Sequence, residues 1–493
     1  MWKPRERIKY TVVEDRWPTI KEVETSRLFA PIQIGPMNLD SRTWVPAMVP
    51  WRSNENGDVT EDVLAWYERF ARGKPGAIVV EATGIRDIPS GPLLRISSDK
   101  YLPGLTRLVD TIKTASDGET RVLIQIIDFL QIRRRPDPTK YLNRHLILRP
   151  EHYAALALPF EAENESTVRS ALLSLSPEEL ESILNQKEWE DLQYGYRERV
   201  TDTHLPHIAQ LPEILPQLFS NAAIRAEAAG FDGVELHYAH AYTMASFLSA
   251  TNNRADGYGN SLEGRLRLPL EVYGAVRAAC SKDFVVGCRF LSDEIIDQGT
   301  RIEEACSIAR ALADAGMDFL SVSRGGKFDD AKQPRVGGAV YPYTGPSGYE
   351  CMPSYISDAQ GPFGRNVEPV SLIRELLRLH GLNTPVVLAG GQYGFYQAES
   401  LLKENKADIV GFARQALADP DWFLKVKLGL GNQVRLCKYT NYCEGLDQKH
   451  KQVTCELWDR ENMEQPGIRK SHDGRRRLLA PEWSPPVIDP VTK

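Results

Sequence analysis

Short apolar runs rich in β-branched residues alternate along this chain with stretches of helical character. The runs Thr43–Val49, Ala77–Glu81, Val122–Ile127, Gly233–His237, Val285–Phe290, Phe319–Ser323, Pro385–Ala389 and Ile409–Gly411 lack a clean apolar–polar alternation. That is how strands covered on both faces by helices read in a parallel sheet. Helical segments fall between them, among them Ser220–Ala229 before Gly230 and Glu303–Ala315 before Gly316. In both, the glycine suits a helix C-cap that turns the chain into the next strand. Eight strands alternating with helices predict an α/β fold, a closed (β/α)8 TIM barrel, with an open doubly wound sheet as the rival.

Two connections are too long for simple crossovers. The one after the third strand, about 128–218 before its returning helix, holds the basic patch Gln131-Ile132-Arg133-Arg134-Arg135-Pro136 and an acidic helical stretch around Pro177–Asp191. The one after the sixth, 325–369, is rich in Gly, Pro and Tyr. Loops that follow barrel strands emerge at the C-terminal rim, where such barrels carry their chemistry, so these insertions read as lids, or else as decoration or a subunit contact. The expected organisation is an N-terminal arm (1–26), the barrel (27–430) and a C-terminal extension (431–493).

Composition narrows the function classes. Across 493 residues, 60 Lys+Arg against 66 Asp+Glu leave a net charge of -6, which offers no basic footprint for nucleic acid. No apolar run is long enough for a membrane span, and the charged start Met1-Trp2-Lys3-Pro4-Arg5 lacks the apolar core of a secretory signal. Seven cysteines are too few, and odd in number, for a disulfide framework. A reduced cytoplasmic protein acting on a small molecule is expected, with homo-oligomerisation left open.

Candidate chemistry concentrates after the fourth strand, in Glu235-Leu236-His237-Tyr238-Ala239-His240-Ala241-Tyr242. Two imidazoles and a phenol at a strand exit can hold one oxyanion and deliver one proton. A His-x-x-His pair also suits a metal, but no third ligand accompanies it, and two histidines satisfied by backbone are the plainer alternative.

The next segment, Phe247-Leu248-Ser249 followed by Asn252-Asn253-Arg254-Ala255-Asp256-Gly257-Tyr258-Gly259-Asn260-Ser261-Leu262-Glu263-Gly264-Arg265, changes the weighing. With Leu28-Phe29-Ala30-Pro31, Glu81-Ala82-Thr83-Gly84, Gly287-Cys288-Arg289, Gly390-Gly391 and Ala418-Asp419-Pro420-Asp421-Trp422, it resembles the old yellow enzyme family from about Leu28 to Leu430. The resemblance implies non-covalent FMN at the C-terminal rim and NADH or NADPH as reductant. It assigns the flavin to Pro46, Ala47, Met48, Val49, Ala82, Gln125, Arg289, Gly390, Gly391, Ala413 and Arg414. Arg289 would offset negative charge on the reduced ring, being protonated at any relevant pH. The Gln125 amide would face the pyrimidine edge, and Gly390-Gly391 with Arg414 would take the phosphate. Trp51 falls at the family's substrate pocket and could stack on a planar substrate, or serve as core.

The implied reaction is ping-pong hydride transfer through flavin N5, from NAD(P)H to an activated alkene. His237 and His240 would hold the substrate carbonyl while Tyr242 protonates the α-carbon. A phenol, with an ordinary pKa of about 10, is protonated near neutrality. Amine dehydrogenation or demethylation, aided by an aromatic bowl of Trp51 and the Tyr-rich 341–355 segment, and desaturation are the alternatives. A non-redox metabolite-binding barrel is a different class.

The sequence departs from the family at three places near the flavin: Val49 for a Thr or Cys, Asp128 for a His, and Ala241 for a Gly. Beyond the barrel, Cys437, Cys443 and Cys455 match three positions of the iron–sulfur motif of larger relatives such as dienoyl-CoA reductases and trimethylamine dehydrogenase. Thr440 stands at the remaining, second position, and a hydroxyl is a poor iron ligand beside thiolate. Zinc held by Cys437, Cys443, His450 and Cys455 is the alternative by ligand type; unbound thiols are the expectation, and no metal is assigned.

Overall fold

The computed structural model describes residues 16–88, 91–130, 132–134, 138–240, 242–294, 298–325, 363–440, 442–447 and 450–486. Most of the 325–369 insertion, parts of the basic patch 131–136, and Ala241 lie outside the described residues.

Eight parallel strands close into a barrel: β1 (Thr43–Val45), β2 (Ala77–Gly84), β3 (Arg121–Ile127), β4 (Gly233–Tyr238), β5 (Val285–Leu291), β6 (Leu320–Ser323), β7 (Val386–Ala389) and β8 (Ile409–Gly411). The strands neighbour one another in chain order, and β8 returns to β1 through Val410 opposite Thr43. The barrel therefore replaces the open-sheet alternative. Strand β1 is shorter than its apolar run. Its chain leaves the ladder at Pro46, which has no N–H to donate, and residues 46–50 form a loop instead.

Helices cover the strands. α1 (Glu61–Ala71) follows β1, and its N-cap Thr60 accepts from the Val63 amide. α2 (Leu102–Ala115) follows β2, and α3 (Leu211–Ala228) precedes β4. α4 (Leu262–Ala279), α5 (Ile302–Asp314), α6 (Val367–Leu379) and α7 (Phe395–Lys403) alternate with the later strands. Gly230 and Gly316, just past α3 and α5, sit at φ 91° and 100°, the left-handed region that a side chain would resist.

The barrel interior is divided by chemistry. Trp44, Ala77, Val79, Leu123, Val285, Phe319, Val387 and Ile409 are buried together with Ile34, Met37 and Leu39 of the hairpin Ile32–Ile34/Met37–Leu39. Because these residues sit at the strand beginnings, the hairpin closes the N-terminal end with an apolar plug. The strand ends carry Gln125, Glu235, His237, Arg289, Ser321 and Ser323 instead, all described as buried except the partly exposed Arg289. These polar groups are thus gathered at the C-terminal mouth.

Residues Leu130–Asp202 form a separate compact unit. Its core is Tyr141, Leu142, Leu146, Tyr153, Val168, Leu172, Leu180 and Leu184, and buried His152 pairs with Glu188 at 3.0 Å. The N-terminal arm carries a short helix, Ile20–Glu24, closed by a Thr19/Glu22 capping box. The C-terminal extension binds back on the barrel's helices. Arg69 of α1 donates to the carbonyls of Ala480 and Pro481, and Arg52 to those of Val453 and Leu478. No helix among the described residues is long and apolar enough to cross a membrane.

Candidate active site

A cavity of about 290 Å3 opens at the C-terminal mouth of the barrel. Ala47, Met48, Val49, Trp51, Ala82, Gln125, His237, His240, Tyr242, Arg289, Ala413 and Arg414 line it. Of the candidates read from the sequence, Pro46, Gly390 and Gly391 are not among its lining residues. Leu93, Phe129, Leu417, Glu444, Asp447 and Val453 also contribute, and no sequence motif announced them; Cys443, read from the cysteine motif, joins them.

Strand register explains how the polar groups meet. Gln125 lies opposite Glu235, and His237 opposite Arg289, on neighbouring strands. Gln125 Nε2 donates to Glu235 Oε1 at 2.5 Å, which orients its amide. Burial pushes the Glu235 carboxyl up, and nearby Arg289 opposes that shift. Arg289 Nη2 donates to Ser323 Oγ at 3.3 Å, while its buried Nε has no protein partner among the described residues. A shift of register in β2 between Val80 and Thr83 accompanies the placing of Ala82 at the cavity.

The Ala239 amide donates to His237 Nδ1 at 3.3 Å, so the proton of a neutral His237 resides on Nε2. His240 Nε2 lies 2.8 Å from Ser323 Oγ, the oxygen that also receives Arg289, and its backbone takes φ 60°. Burial, reinforced by the Arg289 charge, lowers the His237 pKa to about 3 and carries that of His240 well below the ordinary range. Both imidazoles are therefore neutral hydrogen-bonding groups at physiological pH. The Tyr242 ring stands perpendicular to His237 and to Phe129, each at 5.2 Å between centroids.

Asp128, where the family pattern carries His, is buried and receives Arg86 through Nε at 2.5 Å and Nη2 at 2.8 Å. It also accepts from Thr243 Oγ1 at 2.6 Å, immediately after Tyr242. Burial raises the Asp128 pKa, against the pull of Arg86. Trp51, in the left-handed region at φ 54°, donates from Nε1 to Asp447 at 2.5 Å and stacks on His450 at 4.1 Å.

The Asn252–Arg265 segment has a structural role. Asn252 Nδ2 donates to the carbonyls of Phe247 and Tyr258, buried Arg254 reaches the Ile208 carbonyl, and Arg265 joins Leu248 to Glu304. None of these residues lines the cavity. In the C-terminal extension, Thr440 donates its hydroxyl to Glu456 at 2.5 Å. Cys437, Cys443 and Cys455 are free thiols raised by burial, Cys455 to about 12. Among the described residues, no group of three or more His, Cys, Asp or Glu side chains is gathered for a metal ion.

These features define a closed β/α barrel with a largely apolar cavity, carrying a few convergent polar groups, at the end where such barrels conduct chemistry. The chain belongs to the NADH:flavin oxidoreductase / NADH oxidase family, whose model matches residues 27–129 and 212–433. It is 28% identical over 415 residues to an NADH oxidase of Thermoanaerobacter brockii, covering 83% of this chain and 52% of that protein. It is 26% identical over 400 residues to an NADPH dehydrogenase of Bacillus velezensis, covering 80% of this chain and 92% of that one. The chain thus spans about half the length of its first curated relatives. Its fold superposes on a 2-naphthoyl-CoA reductase with a TM-score of 0.63 at 19% identity, covering 90% and 60% of the two chains. An old yellow enzyme homologue from Zymomonas mobilis gives 0.51 at 20% identity, covering 81% and 91%.

FMN and a nicotinamide reductant come with the family. The cavity fits the flavin ring: it offers a buried guanidinium nitrogen without a partner among the described residues, an oriented glutamine amide, and a lining of small and apolar residues from Ala47 to Val49.

Proposed function

We propose that this chain catalyses NAD(P)H-driven reduction of an activated carbon–carbon double bond, using FMN held in the barrel-mouth cavity. Bound FMN supplies the two-electron relay between the nicotinamide and the alkene. Arg289 faces the pyrimidine end of the ring with a permanent positive charge, and Gln125 holds the same edge through its amide. Arg414 takes the phosphate end.

The observation that carries this reading is the pair of neutral imidazoles at the cavity wall. His237, with its proton on Nε2, donates to the substrate carbonyl; His240 Nε2 is taken by Ser323 Oγ, so His240 donates from Nδ1, the nitrogen that carries the proton when Nε2 accepts the Ser323 hydroxyl. Two neutral donors polarise the carbonyl without placing a second positive charge beside Arg289. Tyr242, stacked edge-on between His237 and Phe129, delivers the proton to the α-carbon.

Anaerobic stopped-flow kinetics of the yellow purified protein separate the two half-reactions. Mixing with NADH or NADPH reports flavin reduction, and mixing the reduced protein with cyclohex-2-enone reports alkene reduction. His237→Ala is expected to slow the second half-reaction by about a hundredfold or more, the usual consequence of deleting an oxyanion donor. Tyr242→Phe slows the same step while leaving flavin reduction nearly intact. Unchanged enone reduction in both flavin-loaded variants would overturn the assignment.

A further inference from the structure

The short helix Tyr442–Asp447 brings a carboxylate to a place where the flavin reading needs a free cation. Glu444 lines the cavity, and its carboxyl lies 3.9 Å from the Arg414 guanidinium. Glu444 Oε2 is shielded from solvent and has no partner among the described residues. Arg414 is positioned independently, its guanidinium 4.7 Å over the Tyr439 ring, and the Tyr439 hydroxyl in turn donates to the Gln392 carbonyl at 2.8 Å. Arg414 does not depend on Glu444 alone for its place.

A phosphate monoester carries between one and two negative charges near neutrality. Brought to Arg414, it meets the Glu444 carboxyl in a partly buried setting where like charges repel much more strongly than in water. Burial raises the Glu444 carboxyl and the Arg414 and Arg365 guanidiniums oppose that shift, so a phosphate that takes Arg414 must either meet the Glu444 charge or add a proton to it. The charge that opposes a phosphate comes from the C-terminal extension, outside the barrel.

Resting on the assignment of Arg414 to the phosphate end, we propose that Glu444 is an internal counter-anion that competes with the phosphate of FMN for Arg414. The extension thereby sets how tightly the mononucleotide is held, while the ring-binding residues are untouched.

The test uses the full-length chain stripped of flavin and titrated with FMN and with riboflavin, following quenching of flavin fluorescence. Riboflavin carries the same ring without the phosphate. Glu444→Gln keeps the shape and removes the charge; it is expected to bind FMN about tenfold tighter and riboflavin within about twofold of wild type. Glu444→Asp keeps the charge and is expected to show no such gain. FMN affinity in Glu444→Gln that is unchanged or weaker relative to riboflavin would overturn the proposal while leaving the flavin reading in place. If neither flavin binds wild type or variants, the flavin reading fails and takes this proposal with it.

Discussion

In the proposed reaction His237 donates a hydrogen bond to substrate while staying uncharged, and its surroundings favour both. The Ala239 amide occupies Nδ1, and burial beside Arg289 brings its pKa to about 3. The consequence for stability has a definite sign. In the unfolded chain the imidazole titrates near 6.5, so between pH 6.5 and 3 the unfolded state binds a proton that the folded state does not. Stability from this group is present above 6.5 and is lost as pH falls through that window, by about 1.4 kcal/mol per pH unit while one proton separates the states. His237→Asn, which cannot titrate, is expected to lose less stability between pH 6.5 and 4 than wild type, read from urea midpoints across that range. Parallel loss in the two proteins would show that His237 is not neutral for the reason given. The motif His237-x-x-His240-x-Tyr242 was legible in the sequence because the three residues lie within one strand exit. Glu444, Asp447 and Val453 were not, because they reach the cavity from the far end of the chain with no motif to mark them.

Among the elements, the loops after β2, β3 and β4 are joined by one buried carboxylate. Asp128 accepts Arg86 from the loop after β2 and Thr243 from the start of the helix Thr243–Leu248, next to Tyr242. Asp128→Ala leaves Arg86 without its charge partner and frees Thr243. It is expected to destabilise the fold by about 3 kcal/mol, as breaking a buried pair does, and to lower kcat for enone reduction by disturbing Tyr242. Asp128→Asn retains an acceptor for Thr243 and should recover much of kcat but less of the stability. Urea unfolding and steady-state kinetics measure the two effects separately. The strand series was readable because apolar runs of a covered parallel sheet are distinctive. Element ends were less so. The run Thr43–Val49 stops pairing at Val45 because Pro46 cannot donate to the ladder. Helix α3 starts at Leu211, ahead of the expected Ser220, because Pro212 sits in the first turn where no N–H is needed, and Pro216 is accommodated inside.

At the scale of the whole barrel unit, the chain end is held by buried cations on the barrel's first helix and the loop before it. Arg69 makes a two-pronged pair with Asp421 at 2.7 and 2.5 Å, and both side chains are almost fully buried. The same guanidinium donates at 2.8 Å to the carbonyl of Pro481, 412 residues away in the chain. Arg52, stacked 4.5 Å over Trp66 and lowered by burial to about 9, holds the carbonyls of Val453 and Leu478 in parallel. One arginine thus ties the loop after β8 and the C-terminal extension to the helix after β1. Arg69→Ala leaves Asp421 charged and unpaired in the interior, at a cost of about 3–5 kcal/mol, and removes one of the tail's buried anchors, which also include Arg52, alongside the outer contacts of Arg72 to Glu482 and Trp483 to Gln433. The unfolding midpoint in urea should fall accordingly, and limited proteolysis should newly cut near residues 478–486 while the barrel survives. Arg69→Lys retains a charge for Asp421 but lacks the planar fork that reaches the carboxylate and two carbonyls together, so it should regain part of the stability and little of the protease resistance. If tail cleavage in Arg69→Ala is no faster than in wild type, the anchoring rests on Arg52 and the surrounding packing.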